Sequence, residues 1–572
     1  MRRSSFALLT LLTLAGSFAA ADDVLIKTRD GATLSAVVAL PDPKPATRLP
    51  TILVFDIYTN PEAQKAQAES FAVRGYAGVI ADTRGKRLSP DAIVPYEHEA
   101  EDTQTVIDWI VEQPWSDGKV GMIGGSYSGF TAWAATKHKN PALKGIAVSA
   151  AVIPGLGLPM NHNVFLNANY QWAFYVTNNK LLDEPLNADG QRWWAMARKW
   201  FESGRPYREI DAVEGTPNPL LQRWLMHPAY DKYWQSMVPY QRDFAHVNIP
   251  VLTITGYYDD AQISALEYLK QHLANGRNPE HYLVIGPYDH LGTHWDKKPE
   301  VLREYAIDPV AQMDSVELKL QFMDYVLRGA PKPALLANKV NYEVMGANVW
   351  RHAPSLESIH AIPMRLYLSA QKNEGLLSLV NQAPPAGLIA THEVDFTDRV
   401  KWHGFHSYPV TIVQPPLSYI TESRFLSQPF ETATVVSGAF TGELAVIINK
   451  KDFDLSVTVY EAMADGKLFH LGSALHRASY TEDPQKRHLL SPGKLERVKF
   501  ATSMVSRQML PGSRLLVLVD ANKNLMAQVN YGTGKDVSDE SVKDAGDPLK
   551  IEIQGGSYFE IPLDNSFAVK PK

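Results

Sequence analysis

The chain has 572 residues, of which 45% are hydrophobic and 21% are charged, and its formal net charge at pH 7 is −6. A chain of this length is too long to fold around a single hydrophobic core, so we expect two to four domains. The mild acidity argues against a nucleic-acid partner, and the absence of cysteine excludes disulfides, thiolate metal sites and a cysteine nucleophile.

Residues 1–21 have the composition of an export signal. Arg2 and Arg3 form a basic start, residues 6–18 are largely apolar, and the alanines at 19–21 provide a small-residue cleavage site. A membrane anchor is the alternative, but the apolar stretch is too short to span a bilayer and ends in alanines. We therefore expect cleavage near Ala21 and a soluble periplasmic or secreted bacterial protein that has no membrane contact after cleavage.

The next segment alternates predicted strands with a predicted helix. Short strand-like runs lie at residues 24–28, 33–40, 51–57 and 77–81. The first two are joined through Asp30 and Gly31, a hairpin signal, and the last two are typical of buried parallel strands. Residues 98–113 predict an amphipathic helix. This alternation predicts an α/β fold with a parallel sheet.

Residues 119–130 combine a short apolar run with a cluster of small residues, and a helix-favouring run follows from Thr131 to Lys137. A serine on such a strand-to-helix turn exposes its hydroxyl at the top of a sheet, which makes Ser126 a candidate nucleophile. The usual Gly-x-Ser-x-Gly spacing needs glycine at position 128, whereas this chain has Ser128 and places Gly129 one step later. A plain glycine-rich turn is the alternative interpretation.

Three further regions follow the candidate nucleophile. Apolar strand runs disappear between residues 156 and 244, where tryptophans mix with polar residues, and this pattern predicts a helical insertion that caps the sheet. Strand patterns resume at 251–255 and 281–285, and a helix is predicted at 315–328. Beyond residue 345, short strand-like runs separated by turns predict a β-sandwich. The predicted domains are an α/β domain at 22–155 and 245–335, a helical cap at 156–244 and a β-sandwich at 345–572.

Two of these later strands lead into the partners that a serine nucleophile needs. A catalytic serine requires a base, and the base requires an orienting carboxylate. Asp259 follows the strand at 251–255 and His290 follows the strand at 281–285, so both come after carboxyl ends of strands, where sites of open α/β sheets form. The chain order Ser126, Asp259, His290 is that of α/β-hydrolases.

Each partner also has an alternative interpretation. Asp259 could cap the helix that follows it, and His290 could be a structural loop residue. His290 and His294 have i,i+4 spacing, but no glutamate lies between them as in the His-Glu-x-x-His zinc motif, so we expect no metal. Three residue types in the required order, each after a strand-like run, favour the catalytic interpretation.

Two tyrosines are candidates for binding an oxyanion. The backbone N–H of Tyr127 directly follows the nucleophile. The phenol of Tyr58 follows the strand-like run at 51–57 and is a competent hydrogen-bond donor. A tyrosine that merely packs at a strand end is the alternative for Tyr58.

These motifs resemble the CocE/NonD hydrolase family, which contains cocaine-esterase-like enzymes, α-amino-ester hydrolases, glutaryl acylases and Xaa-Pro dipeptidyl-peptidases. The family motif Gly-x-Ser-Tyr-x-Gly matches Gly124, Ser126, Tyr127 and Gly129, so glycine at 129 is the spacing of that family. Its Gly-Trp-Tyr-Asp motif resembles residues 256–259, and its Gly-Pro-Trp-x-His motif resembles residues 286–290. The resemblance covers nearly the whole chain after the predicted signal.

The resemblance implies an α/β-hydrolase domain with an inserted helical cap and a C-terminal all-β jelly roll, with the site where the three domains meet. It implies a triad of Ser126, Asp259 and His290, oxyanion donors at Tyr58 and Tyr127, and no cofactor or metal. The implied activity is that of an exported serine hydrolase which cleaves small ester, amide or short-peptide substrates through an acyl-enzyme, similar to Xaa-Pro dipeptidyl-peptidases.

Two alternatives within the enzyme class are an α-amino-ester hydrolase and a β-lactam (glutaryl-type) acylase. Amino-ester hydrolases carry acids two and three residues after the catalytic aspartate, where this chain has Ala261 and Gln262, so that specificity is disfavoured. An alternative of another class is a catalytically inactive glycan-binding protein. The sequence assigns no oligomeric state.

Overall fold

Two large sheets organise the chain. The computed structural model describes residues 21–43, 45–277, 279–359, 363–404, 410–417 and 423–564, so residues 1–20 of the predicted signal lie outside the described residues. One sheet has ten strands and precedes residue 354, and the other has twelve strands and begins at residue 364. No helix in the described ranges has both the length and the apolar character needed to cross a membrane.

The ten-stranded sheet is parallel in its centre. Its strands are β1 Asp22–Lys27, β2 Thr33–Ala39, β3 Leu49–Asp56, β4 Ala77–Asp82, β5 Ser116–Gly125, β6 Leu143–Ser149, β7 Val251–Tyr258, β8 His281–Asp289, β9 Val340–Val344 and β10 Val349–Ala353. They lie side by side in the order β1-β2-β4-β3-β5-β6-β7-β8-β9-β10, with antiparallel pairing only toward the two ends of the sheet. Because parallel strands end at the same edge, β5, β7 and β8 deliver their following loops to one place.

Helices cover both faces of this sheet. The α-helices of the chain are α1 Pro61–Val73, α2 Glu99–Glu112, α3 Tyr127–Ala134, α4 Ala168–Thr177, α5 Glu184–Asn187, α6 Gly190–Ser203, α7 Ile210–Glu214, α8 Pro219–Trp224, α9 Lys232–Gln235, α10 Gln262–Asn275 and α11 Ser315–Arg328. Along β3, Ile52 and Val54 pack in the cluster that contains α1 and α11, whereas Leu53 and Phe55 pack in the cluster that contains α2 and α3. Burial on both faces explains why residues 52–55 of the strand are consecutively apolar.

The segment predicted as a helical insertion contains α4 to α9. Its tryptophans at 193, 200, 224 and 234 are each at most 6% exposed, so they form the interior of the segment. Trp172 in α4 is only partly buried, and it faces the cavity described below. Among the described residues, short strand pairs also lie outside the two large sheets: Ile153–Pro154 with Gly157–Leu158, Met160–Asn161 with Val164–Phe165, and Val301–Leu302 with Tyr305–Ala306.

The C-terminal part is built from strands and turns. Its strands are β11 Met364–Asn373, β12 Leu376–Val380, β13 Leu388–Val394, β14 Val413–Gln414, β15 Ser423–Leu426, β16 Thr434–Ile448, β17 Asp454–Ala462, β18 Leu468–Arg477, β19 Leu495–Met509, β20 Arg514–Ala521, β21 Leu549–Gln554 and β22 Tyr558–Ile561. This all-β composition is the one that the sequence predicts beyond residue 345.

The ten-stranded sheet ends later than the predicted boundary at residue 335. Val340–Val344 pairs in parallel with β8, and Val349–Ala353 pairs with Val340–Val344, so both strands extend the ten-stranded sheet rather than begin the β-sandwich. A five-residue strand carries no local signal of the sheet to which it belongs, because strand partners are chosen by long-range hydrogen bonding.

Candidate active site

Ser126 occupies the turn between β5 and α3 in a rarely adopted backbone conformation. Its φ of 56° and ψ of −118° lie outside the regions that residues with a side chain normally occupy. The N–H of Ser126 donates to the carbonyl oxygen of Ser149 at 2.9 Å, and the N–H of Phe130 donates to the carbonyl oxygen of Ser126 at 3.0 Å. These bonds hold a strained turn that exposes the hydroxyl at the carboxyl edge of the sheet.

Close approaches of the chain explain the spacing of small residues around Ser126. A Cβ atom at Gly124 would lie 2.3 Å from the carbonyl oxygen of Ser128, and a Cβ atom at Gly129 would lie 2.9 Å from the Cβ of Ala151. Ser128 has room for its side chain, and its hydroxyl donates to Asp56 Oδ1 at 2.7 Å. Position 129, not position 128, is therefore the one that needs glycine.

The structure brings Ser126, His290 and Asp259 into one hydrogen-bonded path. His290 Nε2 lies 2.9 Å from Ser126 Oγ, and His290 Nδ1 lies 2.9 Å from Asp259 Oδ1. The carboxylate of Asp259 is fully buried and also accepts hydrogen bonds from Thr255 Oγ1 at 2.7 Å and from the N–H of Ala261 at 3.0 Å. This arrangement can pass the proton of Ser126 to His290.

A second carboxylate lies beside the same histidine. Asp260 Oδ1 is also 2.9 Å from His290 Nδ1. Burial opposes a charge on His290, but the Asp260 and Asp259 carboxylates outweigh it and raise the pKa of His290 well above its ordinary value. The imidazole is therefore a stronger base than an isolated histidine.

Tyr58 lies on the other side of the candidate nucleophile. Its Oη is 3.4 Å from Ser126 Oγ and accepts a hydrogen bond from Trp172 Nε1 at 2.9 Å. Burial raises the pKa of Tyr58 to about 12, so the phenol keeps its proton at neutral pH. Because the indole N–H can only donate, the tyrosine oxygen accepts there and its own hydrogen remains available toward Ser126.

Tyr127 offers its backbone to the site and its side chain to the core. It is the first residue of α3, where backbone N–H groups have no acceptor within the helix. Its phenol is buried, donates to Glu99 Oε1 and accepts from the N–H of Tyr96 at 3.3 Å. These contacts anchor the start of α3 directly behind Ser126.

A cavity of about 1150 Å³ opens at this edge of the sheet, and all three parts of the chain line it. Trp172, Tyr175 and Leu182 come from the helical segment, His470 and Met504 come from the C-terminal strands β18 and β19, and Met526 comes from the turn after β20. Ser126, Asp260 and His290 form part of its floor. The candidate site therefore lies where the three predicted domains meet.

Two groups of described residues place potential metal-ligand atoms within 4.8 Å of one another. One consists of Asp259, Asp260 and His290. The other consists of His392, His403 and Asp520. Asp520 in β20 forms hydrogen bonds with His392 at 2.5 Å, with His403 at 3.3 Å and with the N–H of Gly404 at 2.9 Å. These bonds tie the segment that contains His403 and Gly404 to β20. His294, which has i,i+4 spacing from His290, forms a hydrogen bond with Ser149 Oγ at 2.7 Å.

Trp172 and Ser128 border the candidate site without a sequence pattern that predicts a role for either. Trp172 lies 114 residues from its partner Tyr58, and Ser128 lies 72 residues from its partner Asp56. Neither pairing has a local signal, since both depend on how the sheet and the helical segment come together. Only the spacing of Gly129 could have indicated that position 128 tolerates a side chain.

Comparisons with known proteins agree with this architecture. The family model for X-Pro dipeptidyl-peptidase (S15 family) matches residues 30–292, and that for the X-Pro dipeptidyl-peptidase C-terminal non-catalytic domain matches residues 336–552. Cocaine esterase of Rhodococcus sp. (strain MB1 Bresler) is 26% identical over 569 residues, which cover 92% of this chain and 95% of that protein.

Solved structures share the whole fold. An aminopeptidase from a marine sediment Thaumarchaeota archaeon has a TM-score of 0.78 at 18% identity and covers 98% of this chain and 99% of its own. An α-amino acid ester hydrolase has a TM-score of 0.74 at 22% identity and covers 98% of this chain and 100% of its own. The fold is therefore an α/β-hydrolase domain followed by an all-β domain. The first family match covers β2 to β8 of the ten-stranded sheet, and the second covers β9, β10 and most of the all-β domain. Both matches identify the protein as a serine hydrolase that is similar to the S15 family.

Proposed function

We propose that the protein is an exported enzyme that cleaves small ester, amide or short-peptide substrates through an acyl-enzyme on Ser126. The observation that carries this proposal is the hydrogen-bonded path from Ser126 Oγ through His290 to Asp259, with 2.9 Å at each step. The path begins in a cavity large enough for a small substrate.

The proposed reaction has two steps. His290 Nε2 takes the proton of Ser126 as the serine oxygen attacks the substrate carbonyl, while Asp259 holds the imidazole and stabilises its charge. Tyr58 Oη and the N–H of Tyr127 donate to the oxyanion. His290 then protonates the leaving alcohol or amine, and water attacks the acyl-enzyme by the same route to release the acid.

We further propose that the acyl group is uncharged and apolar or aromatic. Trp172, Tyr175 and Leu182 present apolar surface to the cavity. The acids next to the triad are already engaged, because Asp289 pairs with Arg303 at 2.7 Å and Asp260 lies against His290. This engagement supports an uncharged acyl group over the ammonium of an α-amino ester.

A fluorophosphonate probe tests the nucleophile. We expect the wild-type protein to be labelled and Ser126→Ala to remain unlabelled, with a loss of activity on the order of 10⁴-fold or more. Mass spectrometry of the labelled peptide locates the adduct. An unlabelled wild-type protein, or equal labelling of the variant, would contradict the mechanism.

A substrate panel then tests the acyl preference. Aryl esters of neutral acids, α-amino esters, β-lactam side-chain amides and Xaa-Pro amides are compared by kcat/KM with the same protein. We expect the neutral aryl esters to be cleaved fastest. Faster cleavage of α-amino esters or Xaa-Pro amides would overturn the proposed preference and leave the Ser126 mechanism intact.

Export is proposed from residues 1–21 alone. N-terminal sequencing of the protein recovered from the periplasm or medium of a bacterial host is expected to begin at Asp22. Uncleaved protein that stays in the cytosol would contradict the export proposal.

A further inference from the structure

Asp259 and Asp260 both reach the catalytic histidine. Their Oδ1 atoms lie at the same distance, 2.9 Å, from His290 Nδ1. The two side chains differ in exposure, since that of Asp259 is 0% exposed and that of Asp260 is 28% exposed and borders the cavity. Two consecutive residues at the end of β7 thus present carboxylates to one ring nitrogen.

The surroundings of the two carboxylates differ as well. Asp259 is held by Thr255 and by the N–H of Ala261, which satisfy it without the histidine. The Oδ1 atom of Asp260 is buried and has no well-aligned hydrogen-bond donor among the residues that the structure describes. A desolvated carboxylate oxygen is costly unless a positive charge lies nearby, and a protonated His290 at 2.9 Å would supply that charge.

We propose that Asp260 is a second orienting carboxylate of His290, so that Asp259 and Asp260 act on the histidine as a pair. Asp260 is a positioning residue in this proposal, because it acts through His290 and not on the substrate. When His290 takes the proton of Ser126, the imidazolium faces two carboxylates. If one carboxylate is neutralised, the other still accepts the Nδ1 hydrogen and keeps Nε2 directed at Ser126.

The other titratable groups described near His290 do not bring a negative charge to its ring. The ring of His294 lies 5.4 Å away, and burial holds the pKa of His294 well below its ordinary value, so that ring is uncharged. Tyr58 stays protonated, and Lys319 donates to Ser149 Oγ at 3.1 Å. Asp259 and Asp260 therefore provide the negative charges that contact the ring.

The proposal rests on the proposed function and is tested by a double-mutant cycle. Asp259→Asn, Asp260→Asn and the double variant are compared with wild type by kcat/KM on a neutral aryl ester. Loss of a single orienting aspartate in a triad costs about 10⁴-fold. We expect Asp259→Asn to lose no more than about 10²-fold, Asp260→Asn about 10-fold, and the double variant about 10⁴-fold, which exceeds the product of the single losses.

The pH profile provides a readout that a merely structural role would not move. Catalysis needs neutral His290, so activity falls as pH drops through the pKa of that histidine. Removing the charge at position 260 lowers this pKa, and Asp260→Asn should move the acid limb of kcat/KM to lower pH. Glu267→Gln is the matched control, because Glu267 borders the same cavity but contacts Gln271, and its acid limb should stay in place.

Two results would overturn the proposal. One is a 10⁴-fold loss in Asp259→Asn alone, and the other is an Asp260→Asn variant with unchanged kcat/KM and an unchanged acid limb. Thermal unfolding of each variant identifies losses caused by misfolding, and Asp260→Glu, which keeps the charge, should retain the acid limb. Failure of the proposed function is a different result, since it leaves the wild-type protein unlabelled by the fluorophosphonate probe.

Discussion

Distances of a few tenths of an ångström decide which residues the turn around Ser126 accepts. Gly124 and Gly129 lie where an added Cβ would overlap Ser128 or Ala151, whereas the side chain of Ser128 finds an acceptor in Asp56. The turn is strained at Ser126 itself, so its neighbours must fit closely to hold it. The position of the nucleophile therefore depends on backbone packing as much as on the triad.

Gly129→Ala tests this packing requirement. The new methyl group would lie 2.9 Å from Ala151 Cβ, and the clash should reduce the free energy of unfolding by about 1–3 kcal/mol and lower kcat. Chemical denaturation and steady-state kinetics measure both effects. Gly190→Ala is the control, because nothing lies within 4 Å of its Cβ position at the start of α6, and it should change stability by less than about 1 kcal/mol. Equal effects of the two variants would refute the packing explanation.

At the scale of secondary-structure elements, α4 of the helical segment contributes a hydrogen bond to the proposed oxyanion site. Trp172 reaches from α4 to the end of β3 and donates to Tyr58, and its ring stacks on Tyr96 at a centroid distance of 5.4 Å. The hydrogen bond fixes the direction in which the tyrosine donates. The helical segment thus positions the proposed oxyanion donor Tyr58 in addition to covering the candidate site.

Trp172→Phe removes this hydrogen bond and keeps the aromatic ring. We expect kcat to fall about 10-fold with a smaller change in KM, while Tyr58→Phe loses about 10²–10³-fold in kcat. The double variant should resemble Tyr58→Phe alone, because Trp172 acts through Tyr58. Trp224→Phe is the control, since the Trp224 ring stacks on Trp172 but its indole nitrogen has no hydrogen-bond partner. Multiplicative losses in the double variant would disprove this coupling.

At the scale of the whole molecule, the C-terminal domain holds the segment that carries Asp259. Gln262 Nε2 in α10 donates to the carbonyl oxygen of Met504 at 2.9 Å, and the N–H of Met504 in β19 donates to Gln262 Oε1 at 2.6 Å. Tyr258 Oη donates to the carbonyl oxygen of His470 at 3.1 Å. The all-β domain is therefore part of the scaffold of the triad, although none of the predicted triad residues comes from it.

Gln262→Leu should show this dependence. The change leaves two buried backbone groups of Met504 without their partner, which should lower the free energy of unfolding by about 2–4 kcal/mol and reduce kcat. Gln271→Leu on the same helix loses only contacts with Glu267 and Asn275 and should cost less than about 1 kcal/mol. Denaturant unfolding and kinetics of both variants provide the measurement. A Gln262→Leu variant as stable and active as Gln271→Leu would exclude the structural link.

Elements with local end signals were predictable to within a few residues. The helix predicted at 315–328 is observed as Ser315–Arg328, because Asp314 accepts from the N–H of Glu317 at its start and Gly329 adopts a φ of 73° at its end. Both signals are contained in the neighbouring residues. The membership of Val340–Val344 in the ten-stranded sheet has no such signal, because it depends on long-range pairing with β8.

Some residues of the candidate site could likewise be predicted from the sequence, whereas others could be placed only by the tertiary structure. Residue type, chain order and position after a strand were sufficient to select Ser126, Asp259 and His290 as candidates that lie together, because a sheet with parallel strands brings the ends of those strands to one edge. Only the tertiary structure placed Asp260 as near to His290 as Asp259 and brought Trp172 to Tyr58. A hydrogen bond forms or fails within about half an ångström, and that precision arises from the packing of segments far apart in the chain.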